Sequence, residues 1–114
     1  MAEEQVVEEV SIWFEIEDSI SDTSGYQLEA SIINFIKSQP RLSKPRLLIS
    51  KFYPGSQPRR FVLRFTMTTP VKSYAKTGPK LINRVLKFIR TQSYVKAAKL
   101  QDRLQCATYF PGYL

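Results

Sequence analysis

The chain has 114 residues, a formal net charge of +7 at pH 7, 43% hydrophobic residues and 24% charged residues. This length and composition predict one folded domain and exclude a wholly disordered chain. The chain has no histidine, one cysteine and four scattered glycines, which excludes histidine-based triads, an internal disulfide, Cys- or His-rich metal sites and a glycine-rich phosphate loop. We therefore expect no enzyme activity, no metal and no cofactor.

The N-terminal segment, MAEEQVVEEV, is acidic, whereas a secretory signal starts with basic residues and continues into an apolar stretch. No apolar run approaches the roughly 20 residues that span a membrane. We therefore expect an intracellular protein, cytoplasmic or nuclear, without a membrane span. Residues 1–9 are expected to be a flexible acidic segment, residues 10–106 a single domain, and residues 107–114 an aromatic tail.

Charge is distributed unevenly along the chain. Nine of the ten acidic residues lie between Glu3 and Glu29, and all 17 Lys and Arg lie between Lys37 and Arg103, where Asp102 is the only acid. Residues 37–114 therefore carry a net charge of +16, which predicts a polyanionic partner, nucleic acid first. A protein or membrane-surface partner is the alternative, and the acidic part could instead fold back on the basic part.

The first predicted elements are a strand and a helix. VSIWFEIE, residues 10–17, alternates between apolar and polar positions and predicts a half-buried strand. Its expected core face is Val10, Ile12, Phe14 and Ile16, and its expected outer face includes Trp13 and Glu15. Residues 26–38 follow a helical period, with Thr23 or Ser24 as the expected N-cap and Pro40 beyond the end.

Two further strands are predicted around a turn. RLLISKFY, residues 46–53, and RRFVLRFTM, residues 59–67, both have strand composition, and Pro54-Gly55 between them suits a type II turn. In the second of these strands Phe61, Leu63, Phe65 and Met67 are expected in the core. Arg60 and Arg64 then lie on the opposite face.

Two helices are predicted in the last third of the chain. Pro79 suits the first position of a helix that runs to Arg90, and Ser93 suits the cap of a last helix over residues 94–105. The predicted order is β-α-β-β-α-α. It indicates an α+β fold, a small two-layer sandwich with a mainly antiparallel sheet and helices on one face, ferredoxin-like or related.

The first candidate binding surface is the predicted hairpin, with Lys51, Tyr53, Arg59, Arg60 and Arg64. Cationic side chains hold phosphates, and an exposed aromatic ring stacks on a base. The alternative is an edge hairpin whose positive charges prevent sheet-to-sheet aggregation.

The second candidate surface is a basic helix face. Lys80, Arg84 and Lys87 recur at spacings of four and three, Arg90 lies one turn further, and Lys76 extends the set. A row of cations along a helix can follow a phosphate backbone. The alternative is an ordinary solvated face, but such a face usually mixes charges of both signs, and this one contains no acid.

The sequence therefore predicts a small basic nucleic-acid-binding protein for RNA or single-stranded nucleic acid, with phosphate contacts and limited sequence specificity. The alternative hypothesis is a structural or interaction subunit. It would be a homodimer or a component of a larger viral or ribonucleoprotein assembly. Its docking surface would use Trp13, Tyr109, Phe110 and Tyr113.

Overall fold

A computed structural model describes residues 4–17, 20–49 and 59–109 of the chain. The elements in chain order are β1 (Gln5–Ile16), α1 (Asp22–Ser38), β2 (Leu42–Ile49), β3 (Arg59–Pro70), α2 (Tyr74–Thr91) and β4 (Val95–Tyr109). No helix in these ranges is long and apolar enough to cross a membrane.

The four strands form one antiparallel sheet in the order β2-β3-β1-β4. Each helix joins two strands that are separated by a third strand, so the chain contains two interlocked split β-α-β units. Both helices bury apolar side chains in the same core cluster as β1 and β3. The predicted α+β class and two-layer arrangement are confirmed, and neither helix covers the other face of the sheet.

The predicted last helix is wrong, because residues 95–109 form the long edge strand β4. The helical prediction rested on the spacing of Val95, Leu100 and Leu104. In the structure, the register between β1 and β4 shifts at three places; at one of them Ser11 is opposite Asp102 and Ile12 is opposite Leu100. Each shift interrupts the alternation of faces, so the strand does not show a period of two.

The predicted faces of β1 and β3 are confirmed. Val10, Ile12, Phe14 and Ile16 are buried on one side of β1, and Leu63, Phe65 and Met67 are buried on the same side of β3, with Phe61 packed against them. β1 begins at Gln5, however, five residues before the predicted strand. Residues 5–9 pair with both β3 and β4, which extends the central strand of the sheet.

The helix α1 begins earlier than predicted. The N-cap is Ser21, whose side chain accepts a hydrogen bond from the amide of Ser24 at 3.1 Å, so Ser24 is the third helical residue and not the cap. The helix ends at Ser38, before Pro40, as the pre-proline restriction requires. Leu28, Ile32 and Ile36 form its buried stripe, as their spacing of four predicts.

The strand β2 also starts earlier than predicted, at Leu42, although Pro45 lies within it. Pro45 is tolerated because β2 is an edge strand, where one side of the backbone needs no sheet partner. Lys44 has a φ of 52°, and the register with β3 shifts between Ser43 and Arg46. This irregularity explains why the alternation was recognised only from Arg46 onward.

The helix α2 begins at Tyr74, five residues before the predicted start, and Pro79 lies inside it. Residues 71–73, which precede the helix, form a turn. The apolar face of α2 is as predicted: Leu81, Ile82, Val85, Leu86 and Ile89 are all buried. The side of α2 that faces solvent is therefore fixed by the packing of this stripe on the sheet.

Candidate nucleic-acid interface

The sheet face turned away from the helices is called the outer sheet face. The strand register places residues of both charges on it: Arg46, Arg60, Arg64, Lys99, Glu9, Glu15 and Asp102. Four cations therefore stand beside three carboxylates, and the surface is close to electrically balanced. This balance arises because the acidic strand β1 lies between two strands that carry basic residues.

Arg60 lies on the outer sheet face, as predicted, but it is engaged by β1. Its Nε atom donates to a carboxylate oxygen of Glu15 at 3.3 Å, and its guanidinium lies 5.0 Å from the ring centre of Trp13. The ammonium of Lys99, on β4, lies 5.9 Å from the same ring. The indole is therefore held between two cations, which is an attractive arrangement with its π electrons.

Arg64 is engaged in the same way. Its Nε atom lies 3.0 Å from a carboxylate oxygen of Glu9 and donates to the hydroxyl of Ser11 at 3.2 Å. A phosphate that approached Arg60 or Arg64 would meet a carboxylate beside each guanidinium. The acidic part of the chain has thus folded back on the basic part, which was the alternative reading of the charge distribution.

A third ion pair lies on the core side of the sheet. Two nitrogens of Arg103 donate to the two carboxylate oxygens of Glu8, each at 2.8 Å. The hydrogen bond to Glu8 is the main reason why the pKa of Arg103 is raised, with desolvation by burial acting in the opposite direction. Arg103 is therefore a structural cation and is not available to a ligand.

The helix α2 presents an uncompensated row of cations, called here the basic row: Lys76, Lys80, Arg84 and Lys87. At 100° per residue these four positions fall within about 80° of arc, and they extend over about 16 Å of helix. All four are exposed, and α2 contains no acidic residue. None of them forms an ion pair with any residue in the described ranges.

Arg84 is the best-positioned member of the basic row. One of its terminal nitrogens donates to the side-chain oxygen of Gln39 at 3.3 Å, at the end of α1. Because the Gln39 side chain is neutral, it orients the guanidinium of Arg84 but does not neutralise its positive charge as a carboxylate would. Arg41 follows two residues after Gln39 and is also exposed. Its Cα lies within about 7 Å of that of Gln39 by chain length alone.

Arg90 does not belong to the basic row, although its spacing placed it there. Its Nε and one terminal nitrogen donate to the carbonyl oxygen of Ala98 on β4, at 3.0 and 2.7 Å. This contact draws Arg90 toward the edge of the sheet. These two hydrogen bonds join the C-terminal end of α2 to β4.

The remaining predicted site residues are only partly described. Lys51, Tyr53, Phe110 and Tyr113 lie outside the described residues. Arg59 begins β3 and Tyr109 ends β4. The structure thus aligns four of the five predicted helix cations on one face of α2, without Arg90, and it places Arg60 and Arg64 on the outer sheet face.

The sequence analysis did not predict which carboxylates form ion pairs with the arginines of β3. Glu9 was expected in a flexible acidic segment and Glu15 on a solvated strand face, yet they form ion pairs with Arg64 and Arg60. The alternation of side chains in the two strands could have indicated these pairs. The carboxylates at odd-numbered positions of β1 and the arginines at even-numbered positions of β3 lie on the same outer sheet face. The antiparallel pairing of those two strands was the missing fact.

Among the described residues, no three potential metal-ligating side chains come together. No model of a known protein family matches the chain, and comparison with curated proteins finds no significant match. Function therefore has to be inferred from the chemistry of the side chains.

Proposed function

We propose that this protein binds nucleic acid through phosphate contacts made by the basic row, with limited sequence specificity. One observation carries the proposal. Lys80, Arg84 and Lys87 are exposed on a helix without acids, while Arg60 and Arg64 on the outer sheet face each have a carboxylate partner. Uncompensated cations that are held in a row attract a polyanion along its length.

The chemistry of such a site sets its expected behaviour. Lysine and arginine contacts to phosphate oxygens position a nucleic acid but read no bases. The expected affinity is that of non-specific binding, with a dissociation constant of roughly 10⁻⁴ to 10⁻⁶ M at physiological salt. The sequence favours RNA as the partner, and the phosphate contacts of the basic row apply to RNA and DNA alike.

The connectivity of the chain is that of ferredoxin-like domains. That connectivity is shared by proteins with many unrelated functions, so it does not support nucleic-acid binding by itself. The support comes from the position of the charges.

The test is a salt titration of RNA binding with two triple variants of equal net charge. The first replaces the exposed helix cations: Lys80→Gln, Arg84→Gln and Lys87→Gln. The second replaces cations of the outer sheet face: Arg60→Gln, Arg64→Gln and Lys99→Gln. Each set removes three positive charges, so a difference between them reports position and not overall charge.

We expect the affinity of the helix variant to fall at least about tenfold at low salt. The slope of log K against log salt should become smaller in magnitude by about one unit for each phosphate contact removed. The sheet variant should keep the slope of the unmodified chain. The proposal is wrong if the unmodified protein fails to bind RNA and DNA at low ionic strength, or if both variants weaken binding equally.

A second candidate function is that of an interaction subunit. The observation that favours it is the open outer sheet face, where Trp13 lies among charges of both signs and neither helix covers the sheet. β4 runs to Tyr109, so removal of residues 110–114 spares the strand. If residues 110–114 hold two copies of the chain together, their removal should lower the mass measured by light scattering. If the unmodified chain is monomeric at high concentration, the homodimer is excluded.

A further inference from the structure

We infer that the basic row recognises a duplex, and not the single strand that the sequence favoured. This inference depends on the proposed function, because it specifies which nucleic acid the same site takes. Binding of single strands generally combines cations with aromatic rings on which the bases stack. In a duplex the bases are stacked inside, and phosphates of both strands line the surface.

Among the described residues, no aromatic ring lies beside the basic row in a position for stacking. Tyr74, in the first turn of α2, lies about 120° around the helix from Lys80, on the side where it raises the pKa of Arg103. Phe88 is stacked on Phe35 of α1, with ring centres 4.0 Å apart and planes 4° from parallel. Phe88 is therefore turned toward α1, and Tyr74, which is 39% exposed, lies on a different side of α2 from the row.

The other exposed rings of the described residues are remote from the row. Trp13 lies on the opposite side of the sheet, between Arg60 and Lys99. A single strand could not place phosphates on α2 and a base on this indole without passing around the edge of the sheet.

Two more tyrosines, Tyr26 and Tyr94, are exposed, and both lie beside acids. Tyr26, which is 72% exposed, lines a cleft with Glu29 near the start of α1. It is twelve residues, or about 18 Å, from Ser38, the last residue of α1, which precedes the Gln39 that contacts Arg84. Tyr94 follows α2, and its carbonyl accepts a hydrogen bond from the amide of Glu17. Both surroundings disfavour a phosphodiester next to the ring.

The shape of the basic row suits a duplex as well. Because Lys80, Arg84 and Lys87 all follow Pro79 on a helix packed on the sheet, they keep their spacing over about 10 Å, which matches a stiff partner better than a flexible one. Arg41, near Gln39, adds an exposed cation beside the row and not along it. A row with a flanking cation can contact phosphates of two strands across a groove.

The experiment compares three probes of one sequence: a 20-base single-stranded RNA without self-structure, the corresponding RNA duplex and the corresponding DNA duplex. Fluorescence anisotropy gives the affinity of the unmodified chain for each probe over a range of salt concentrations. The same series is measured for Trp13→Ala and Tyr26→Ala, and for the helix triple variant Lys80→Gln, Arg84→Gln and Lys87→Gln.

We expect at least one duplex to bind at least fivefold tighter than the single strand at equal salt. Neither aromatic replacement should change any affinity more than twofold, and the helix variant should weaken both duplexes. A difference between the two duplexes identifies the preferred sugar and supports the inference.

Equal or tighter binding of the single strand overturns the inference, as does a loss of affinity in Trp13→Ala or Tyr26→Ala. In those cases the proposed function still stands if the helix variant weakens binding. Failure of all three probes to bind at low salt rejects both the inference and the proposed function.

Discussion

The carboxylate of Glu8 accepts two hydrogen bonds from the guanidinium of Arg103, each 2.8 Å long, between β1 and β4. Only 5% of Glu8 is exposed. A Cβ atom added at Gly78 would lie 2.8 Å from a terminal nitrogen of Arg103, so the pair lies directly under α2. The pair therefore connects the sheet to the helix that carries the basic row.

Replacement of Glu8 by Gln should lower the free energy of unfolding by about 2 kcal/mol, because the partly buried guanidinium of Arg103 loses the charged partner of its two hydrogen bonds. The melting temperature of a domain of this size should then fall by roughly 10 °C. The matched control is Glu9→Gln, which breaks the more exposed pair with Arg64 and should cost less than about 1 kcal/mol. Equal losses in the two variants, measured by urea denaturation, would contradict this role for Glu8.

The effect of pH on this pair follows from the raised pKa of Arg103. A cation whose pKa is higher in the folded state contributes stability that is complete below its unfolded pKa and is lost as pH rises through the folded pKa. Arginine loses its proton only above about pH 12. The stability difference between the unmodified chain and Arg103→Met should therefore not change on the alkaline side of neutrality, between about pH 7 and pH 9. A difference that declines over this range in paired denaturation curves would be inconsistent with the pair.

Gly78 is required by the close approach of α2 to this pair. Alanine normally stabilises a helix interior over glycine by about 1 kcal/mol. Here the added methyl group would displace the guanidinium that Glu8 holds, so Gly78→Ala should instead destabilise the protein by about 1–2 kcal/mol. In an Arg103→Met background the same replacement should become neutral or stabilising. Additive effects in this double-mutant cycle would show that the guanidinium is not the obstacle.

The elements that the sequence predicted correctly are those with an uninterrupted period. The alternation of Val10, Ile12 and Phe14 identified a strand, and the spacing of Leu81, Val85 and Ile89 identified a helix. β4 was mistaken for a helix because register shifts against β1 break its alternation. Local periodicity can be predicted from the sequence, whereas a bulge depends on the strand that lies alongside.

The same distinction applies to the candidate site. The basic row was predicted because Lys80, Arg84 and Lys87 are neighbours on one helix. The neutralisation of Arg60 by Glu15 was not predicted, since those residues are 45 positions apart and meet only through the register of β1 with β3. Charge composition was therefore sufficient to expect a polyanion, but not to identify which of the cations have carboxylate partners.

Trp13 is the only tryptophan of the chain, so its fluorescence reports on the outer sheet face. Saturation of the basic row with an RNA duplex should leave the emission of Trp13 unchanged, because α2 packs on the other side of the sheet. Arg60→Gln combined with Lys99→Gln should shift the emission and serves as the positive control. Strong quenching of the unmodified chain by nucleic acid would mean that the outer sheet face takes part in binding.

Arg90 and Lys87 lie three residues apart on α2. Replacement of Arg90 should affect mainly the stability of the fold, and replacement of Lys87 should affect mainly nucleic-acid binding. Arg90→Gln removes two hydrogen bonds to the carbonyl of Ala98 and should cost about 1–2 kcal/mol of stability. It should leave the salt dependence of binding unchanged, since Arg90 is directed to β4. Lys87→Gln should do the reverse, with stability within about 0.5 kcal/mol of the unmodified chain and a salt slope lower by about one unit.

Both variants lose one positive charge, so each is the charge-matched control of the other. Urea denaturation measures the stability, and anisotropy titrations at several salt concentrations measure the slope. If the protein responded only to net charge, the two slopes would fall equally. A lower slope in Arg90→Gln alone would place the phosphate contacts at the β4 edge of α2, and the basic row as defined by Lys76, Lys80, Arg84 and Lys87 would then be the wrong site.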